Sequence, residues 1–411
     1  MGSDLTARFA ALWASLAPIG RSGDSGGYLR YSWTSADADC REWFTEEAMD
    51  RDLDVEVDGN GNIWATWLPD GVDPATPAIV TGSHLDSVPH GGAYDGPLGV
   101  VSALLAVDEM RERGVRPATP VRIAVFTEEE GSRFGIACLG SRLMTGSLPA
   151  DKAAALRDRD GITLAEAMSG RGQDPALLGP DPARLAGIDT FVELHVEQGR
   201  ALQVPVGVAS AIWPHGRWRL EFTGEGNHAG TTRMDDRHDP MLTFAFTVLA
   251  ANKQARTSGA HATVGRVQAA PNATNAIPSS VTAWLDARAA DEPTLAGLVE
   301  AIATQAKDRA GRDGTGFAAT AESTSAETAF SAMLAARISD VLGGAPVLPT
   351  GAGHDAGVLS GHVPTAMLFV RNPTGVSHAP AEYATDEDCA AGVAALADVL
   401  TDLAAGSRDS L

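Results

Sequence analysis

The first two hundred residues alternate short, solidly apolar runs with longer stretches whose apolar positions recur every three or four residues. PAIVTGS (77–83) and VRIAVFT (121–127) are short and almost uniformly apolar, as buried parallel strands are. Between them, PLGVVSALLAVDEMRERG (97–114) has apolar residues at helical spacing, a proline at its start, basic residues late and Gly114 as a stop. Strand, helix, strand at this length is a βαβ unit. It predicts an α/β fold with a mostly parallel sheet flanked by helices on both faces.

The period changes after Val206. GRWRLEFTG (216–224) alternates Trp218, Leu220 and Phe222 with polar residues, the pattern of a half-exposed strand. A helical stretch (239–256), strand-like HATVGRVQA (261–269) and SVTAWLDAR (280–288), and a second helix (294–309) follow. They predict a small α+β domain with an antiparallel sheet and helices on one face. The polar, Ala/Gly-rich GRDGTGFAATAESTSAETA (311–329) reads as an element boundary, after which TAMLFV (365–370) returns to the α/β style. The expected organisation is a discontinuous α/β domain, 1–208 with 327–411, interrupted by an inserted α+β domain at 209–326.

Composition narrows the partners. With 411 residues, 44% hydrophobic and 20% charged, the chain reads as a soluble globular protein. A formal net charge of −22 argues against nucleic acid or a membrane surface as partner, so an anionic substrate would need its own arginine. Cys40, Cys138 and Cys389 are odd in number and widely spaced, which predicts no disulfide framework or thiolate metal site and fits a cytoplasmic location. No apolar run approaches the length of a membrane span. The opening MGSDLT fits a loose myristoylation pattern, but no basic cluster follows, so an ordinary N-terminus is expected.

The polar residues gather where the predicted strands end. His84 follows the first run, Glu128, Glu129 and Glu130 follow the second, His195 closes TFVELHVE (190–197), and His378 lies shortly beyond TAMLFV. Asp95 sits in the loop that opens the helix at Pro97. In open α/β sheets, ligands bind at the carboxyl ends of the strands. Imidazole and carboxylate without thiolate suit zinc, manganese, cobalt or nickel. One carboxylate bridging two divalent ions would form a two-metal site, with a third glutamate free to take a proton and Asp86 placed to orient His84. His90, His215, His238, His261 and His362 read as ordinary polar residues with local partners.

GSHLDSV, GGAYDGPLGV, FTEEEGSRFG, ELHVEQG, GEGNHAGTTRMDDRHDP, PNATNAIPS, LDAR, GAGHDA and GVSHAPAEY occur in this order over nearly the whole chain. The chain thereby resembles the dinuclear-metal amidohydrolases related to zinc aminoacylases and carboxypeptidases. Within them it is most similar to the ureido-acid hydrolases: allantoate amidohydrolase, N-carbamoyl-L-amino acid hydrolase and β-ureidopropionase. The resemblance implies a zinc-peptidase-like fold whose inserted domain is a lid and dimer interface. By motif it implies that His84 and His195 hold one ion, Glu130 and His378 the other, and Asp95 bridges. Glu129 would be general base and then acid. His228 would stabilise the oxyanion in the partner subunit's site, giving a homodimer. Asn275 and Arg288 would hold the substrate α-carboxylate, and Gln198 and His354 would contact the acyl or ureido group.

The implied reaction is hydrolysis of an N-carbamoyl or ureido C–N bond in a small anionic substrate. An N-formyl or other N-acyl amidohydrolase on the same scaffold, or a catalytically silent binding protein, are the alternatives. The family segment before the last ligand often reads like PSxxGISH, whereas here it is VRNPTGVSH. Two readings of Arg371 follow: a solvent-facing or acid-paired arginine, or a second carboxylate grip favouring an acidic substrate such as N-formyl-L-glutamate.

Overall fold

The computed structural model describes residues 5–405, and the first four residues of the MGSDLT stretch lie outside them. Residues up to Ser210 together with those from Ala329 form one unit, and Ala211–Thr328 form another.

The larger unit is built on β1 (Asp54–Val57), β2 (Ile63–Trp67), β3 (Ala78–His84), β4 (Val121–Phe126), β5 (Ile188–Val196) and β6 (Val206–Ile212). The smaller unit contributes β7 (His215–Thr223), β8 (Asn227–His228), β9 (His261–Ala270), β10 (Ala276–Ile277), β11 (Ser280–Arg288) and β12 (Gly316–Ser325). The chain then adds β13 (Thr328–Ala329), β14 (Val347–Thr350) and β15 (Thr365–Val370) to the first sheet. That sheet runs β1-β2-β4-β3-β5-β15-β6-β13, with β14 on β6. Its centre, β4, β3, β5 and β15, is parallel, and antiparallel strands flank it at β2 and β6. The fold is thus α/β with a mainly parallel central sheet flanked by helices.

Every residue of β3 and β15 is buried, which explains their unbroken apolar character. Val125, Val192, Leu194, Leu368 and Val370 face the core built by the helices Leu5–Leu16, Ser35–Met49, Pro97–Glu112 and Asp386–Ala404. The alternate residues look to the opposite face, where Trp64, Phe126 and Phe191 pack edge to face with centroids 5.9 and 5.8 Å apart. Among the described residues no helix is long and apolar enough to cross a membrane.

The smaller unit has a four-stranded antiparallel sheet, β12-β7-β11-β9. In β11 Val281, Ala283, Leu285 and Ala287 are buried in turn, against a core that includes Ala251 and Ala255 of the helix Pro240–Ser258 and Leu295, Leu298 and Ile302 of the helix Glu292–Asp313. The expected boundary at 311–329 is corrected here: most of it is β12, an edge strand pairing from Gly316↔Thr223 to Ser325↔His215. Its residues are nearly all exposed, so nothing selects apolar alternation and the pattern hides the strand.

Candidate metal centre

Parallel strands put their carboxyl ends on one edge. His84 is the last residue of β3 and pairs with Phe126 at the end of β4, so the Glu128–Glu130 turn leaves from beside it. His195, in β5, pairs with Phe369 of β15, and the chain beyond β15 leads to His378. Asp95 arrives from the loop between β3 and the helix Pro97–Glu112, which begins behind Gly96 at φ 85° and ψ −62°.

Asp95 faces two ways. Its Oδ1 lies 3.1 Å from His195 Nε2 and 3.6 Å from His84 Nε2, and its Oδ2 lies 3.3 Å from His378 Nε2. Glu130 Oε2 is 3.6 Å from the same His378 nitrogen. His84, Asp95 and His195 form one group with ligand atoms within 4.8 Å, and Asp95, Glu130 and His378 another. His195 Nδ1 meets the Val196 carbonyl at 2.8 Å and His84 Nδ1 the Asp86 carbonyl at 3.1 Å, so the Nδ1 protons are spoken for and both Nε2 atoms turn inward. His84 Nε2 is buried without a hydrogen-bond partner, an arrangement native interiors avoid and a cation resolves. Nitrogen and oxygen donors around a shared carboxylate therefore fit divalent metal ions.

The charges are tightly interdependent. Burial opposes the ionisation of Asp95, but His195, His378 and His84 outweigh it and hold its carboxyl well below the usual range. His378 is raised to about 9, chiefly by its hydrogen bond to Asp95. Burial drives Glu129 well above its ordinary value, and Asp355, Glu130 and Asp86 push the same way against His84. Glu129 Oε2 lies 3.7 Å from His84 Nε2, beside the cluster rather than within either donor group.

Supporting residues fix these positions. Asp86 meets His84 Nδ1 through its backbone carbonyl, while its two carboxylate oxygens accept the backbone N–H groups of Glu129 and Glu130 at 3.1 Å each, tying the β3 loop to the glutamate turn. Glu128 stands at φ 55° and accepts the N–H groups of Arg133 and Phe134, so the first glutamate of the triplet closes the turn. Glu382 accepts the N–H groups of Tyr94 and Asp95 at 2.8 and 2.9 Å and the Ser377 hydroxyl at 3.2 Å. Cys138 donates its thiol to Glu129 Oε1 at 3.3 Å. Sequence reasoning assigned Glu128 no role of its own within the triplet and marked Cys138 only as an unpaired cysteine; Glu382 lay unremarked within GVSHAPAEY.

The substrate candidates divide. Gln198 donates to Asp95 Oδ2 at 2.7 Å, and its buried Oε1 has no partner. The His354 ring sits 4.5 Å from that of His195, with burial holding it well below its usual pKa and therefore neutral. In the smaller unit His228 is exposed on β8, and with Asn275 it lines an open cavity of about 580 Å³. The N–H groups of Gly230 and Thr231 reach His228 Nδ1 at 3.0 and 3.2 Å, leaving the proton on Nε2 as an outward donor. Arg288 ends β11, a strand length of about 27 Å at roughly 3.4 Å per residue from the end next to Ser279, which also lines that cavity, and it bonds Asp286 at 3.0 Å. One chain therefore does not bring Asn275 and Arg288 onto a single carboxylate.

Of the two readings of Arg371, the acid-paired one matches its contacts. Its Nε and Nη2 grip the two carboxylate oxygens of buried Asp388 at 3.0 and 2.9 Å, and Nη1 reaches the Gln203 carbonyl at 3.4 Å. A planar fork used in this way has little left to offer a second carboxylate. Of the histidines read as ordinary, His90 meets Ser25 Oγ at 2.7 Å, His215 the Trp213 carbonyl at 3.0 Å and His238 the Asp313 carbonyl at 3.3 Å.

Residues 80–402 match peptidase family M20/M25/M40. The chain is 38% identical over 408 residues to N-carbamoyl-L-amino acid amidohydrolase of Geobacillus stearothermophilus, covering 96% of this chain and 98% of that protein. It is 33% identical over 415 residues to allantoate amidohydrolase of Bacillus subtilis, covering 95% of each. Among solved structures it is similar to a hydantoinase/carbamoylase family amidase from Burkholderia multivorans, with a TM-score of 0.85, 30% identity and 97% and 98% of the two chains covered.

Proposed function

The chain belongs to peptidase family M20/M25/M40, whose members depend on metal, and we propose that it hydrolyses the ureido C–N bond of a small carboxylate with two divalent ions. Its reaction class is hydrolysis of a non-peptide C–N bond, as in the amidohydrolases it is similar to. The observation that carries the two-ion reading is the double-faced Asp95, with His84 and His195 at one oxygen and His378 and Glu130 toward the other. When bound, such ions polarise the scissile carbonyl and make water a competent nucleophile near neutral pH.

The chain's own residues do the rest. Glu129, next in sequence to a ligand but outside both donor groups, takes the proton from the attacking water and returns it to the leaving nitrogen. One water is consumed, and a carbamoyl substrate yields the amine, carbon dioxide and ammonia. Gln198 Oε1 and His354, beside the ligands, are suited to the ureido group. His228 Nε2–H serves the developing oxyanion in a partner subunit's site. The length of β11 between Arg288 and Ser279, which lines the cavity with His228 and Asn275, supports that division of labour in a homodimer, and exposed Leu242 and Leu249 on the helix Pro240–Ser258 supply apolar surface for it.

The test is a substrate panel on zinc- or manganese-loaded protein: allantoate, several N-carbamoyl-L-amino acids and N-formyl-L-glutamate, with ammonia and formate measured together. Ammonia from ureido substrates is the expected product. Formate without ammonia would transfer the assignment to N-formyl hydrolysis, and binding without turnover would make the chain a silent binder. The names of the relatives favour the ureido substrates.

A further inference from the structure

Of the five ligands, His378 is the one with least support from packing. His84 and His195 are fully buried on strands, and Asp95 is buried at the foot of a helix. His378 lies on the loop after β15, its side chain 49% exposed and its backbone at φ 56°. A loop ligand must be ordered before it binds, unless the loop is already held.

Two devices hold this loop. Inside it, buried Asn372 accepts the N–H groups of Thr374 and Gly375 and the Thr374 hydroxyl at 3.1, 2.9 and 2.8 Å, and donates to the Val376 carbonyl at 2.7 Å. At its root, Arg371 bonds both carboxylate oxygens of Asp388 through the Nε–Nη2 edge of its guanidinium, and its backbone N–H reaches the Pro205 carbonyl at 2.9 Å. Asp388 is 2% exposed and lies in the first turn of the helix Asp386–Ala404. The fork therefore fastens the loop to a helix of the core next to the Asn372 turn.

We infer that Arg371 and Asp388 are positioning residues for metal binding, a clamp that holds the His378 loop and so sets the affinity of the ion shared by Glu130, His378 and Asp95. This rests on the two-ion reading above. The His84–His195 ion, held by strand residues, does not depend on the clamp. A residue supporting a ligand from outside typically changes metal affinity by about 10- to 100-fold when removed.

The experiment is manganese titration of wild type, Arg371→Ala, Arg371→Lys, Asp388→Asn and a His378→Ala reference. Stoichiometry is read by calorimetry and the coupled two-manganese signal by electron paramagnetic resonance. Wild type should bind two ions, and His378→Ala should keep one. Arg371→Ala should weaken only the ion that His378→Ala loses, by about 10- to 100-fold, with loss of the coupled signal at limiting manganese. Arg371→Lys, which keeps the charge without the fork, should recover part of the affinity, and Asp388→Asn should resemble Arg371→Ala. The helix dipole still favours a carboxylate at Asp388, so Arg371→Ala should fold, and its melting without metal is the control. Unchanged affinity for both ions would overturn the inference, as would equal weakening of both in step with lowered melting. A wild-type chain that binds a single ion would instead refute the two-ion reading, before any variant is compared, and the clamp with it.

Discussion

Gly96→Ala places one methyl group against His84, one of the proposed metal ligands. Gly96 has φ 85° and ψ −62°, and an added Cβ would lie 2.4 Å from His84 Cε1, 2.5 Å from Nδ1 and 2.6 Å from Nε2. Ordinary carbon contacts are about 3.5–4.0 Å, so the imidazole would have to retreat by about 1 Å. It cannot do so freely, because the Asp86 carbonyl holds Nδ1 and the ring is wholly buried. Ligand distances in a working site vary by only about 0.2 Å, so the His84–His195 ion should weaken at least about tenfold. The backbone adds its own cost, roughly 1–3 kcal/mol for a side chain in this region. Gly114→Ala separates the two effects: φ is 70°, yet nothing lies within 4 Å of the added Cβ. It should lose about 1–2 kcal/mol of stability and leave metal binding unchanged. Urea unfolding of metal-free protein gives the first quantity and manganese titration the second. Wild-type affinity for both ions in Gly96→Ala would refute the steric argument, even if its stability fell.

Two further changes probe the glutamate turn and the loop between β1 and β2. Glu129→Gln keeps the shape of a residue outside both donor groups, so metal uptake should persist while kcat falls by about 10²- to 10⁴-fold; a kcat within tenfold of wild type would remove Glu129 from the proton-transfer role. Asp58 accepts four hydrogen bonds, from the Asn60 and Asn62 N–H groups, Asn62 Nδ2 and Trp64 Nε1, each 2.9 Å. Asp58→Ala strands those buried donors at about 1–3 kcal/mol apiece before relaxation, so a net loss of roughly 3–5 kcal/mol should appear in the urea midpoint. A loss below about 1 kcal/mol would show that water replaces the carboxylate.

The strands that carry the proposed ligands were readable because burial on both faces leaves an unbroken apolar run, and the candidate chemistry begins where the run stops. PAIVTGS ends at His84 and VRIAVFT at the glutamate triplet. β12 was not readable, because an exposed edge strand needs no apolar residues. The limits at the site have the same origin. Glu382 reaches Asp95 across 287 positions, and Asp388 reaches Arg371 from a helix start whose three acidic residues suit the local dipole on their own. A carboxylate with an adequate local reason to be present gives no sign of a distant partner.

The two halves of the centre therefore differ in how they are built. His84 and His195 sit on adjacent buried strands of one sheet, where β3 pairs with β5 from Ala78 to Gly82, and each imidazole is fixed by a carbonyl within two residues of it. Their geometry is complete once the sheet forms. Glu130 and His378 sit on turns, and each depends on a carboxylate from elsewhere in the chain: Asp86 for the Glu130 backbone, Asp388 for the root of the His378 loop. Asp95 joins the halves and is itself held by Glu382, four residues beyond His378, through backbone N–H groups. A disturbance at the Arg371 root of the loop thus falls on His378, whereas Asp95 keeps its own hold on Glu382 and strand packing shields His84 and His195. Sheet formation orders the first pair, and distant ion pairs and caps order the second.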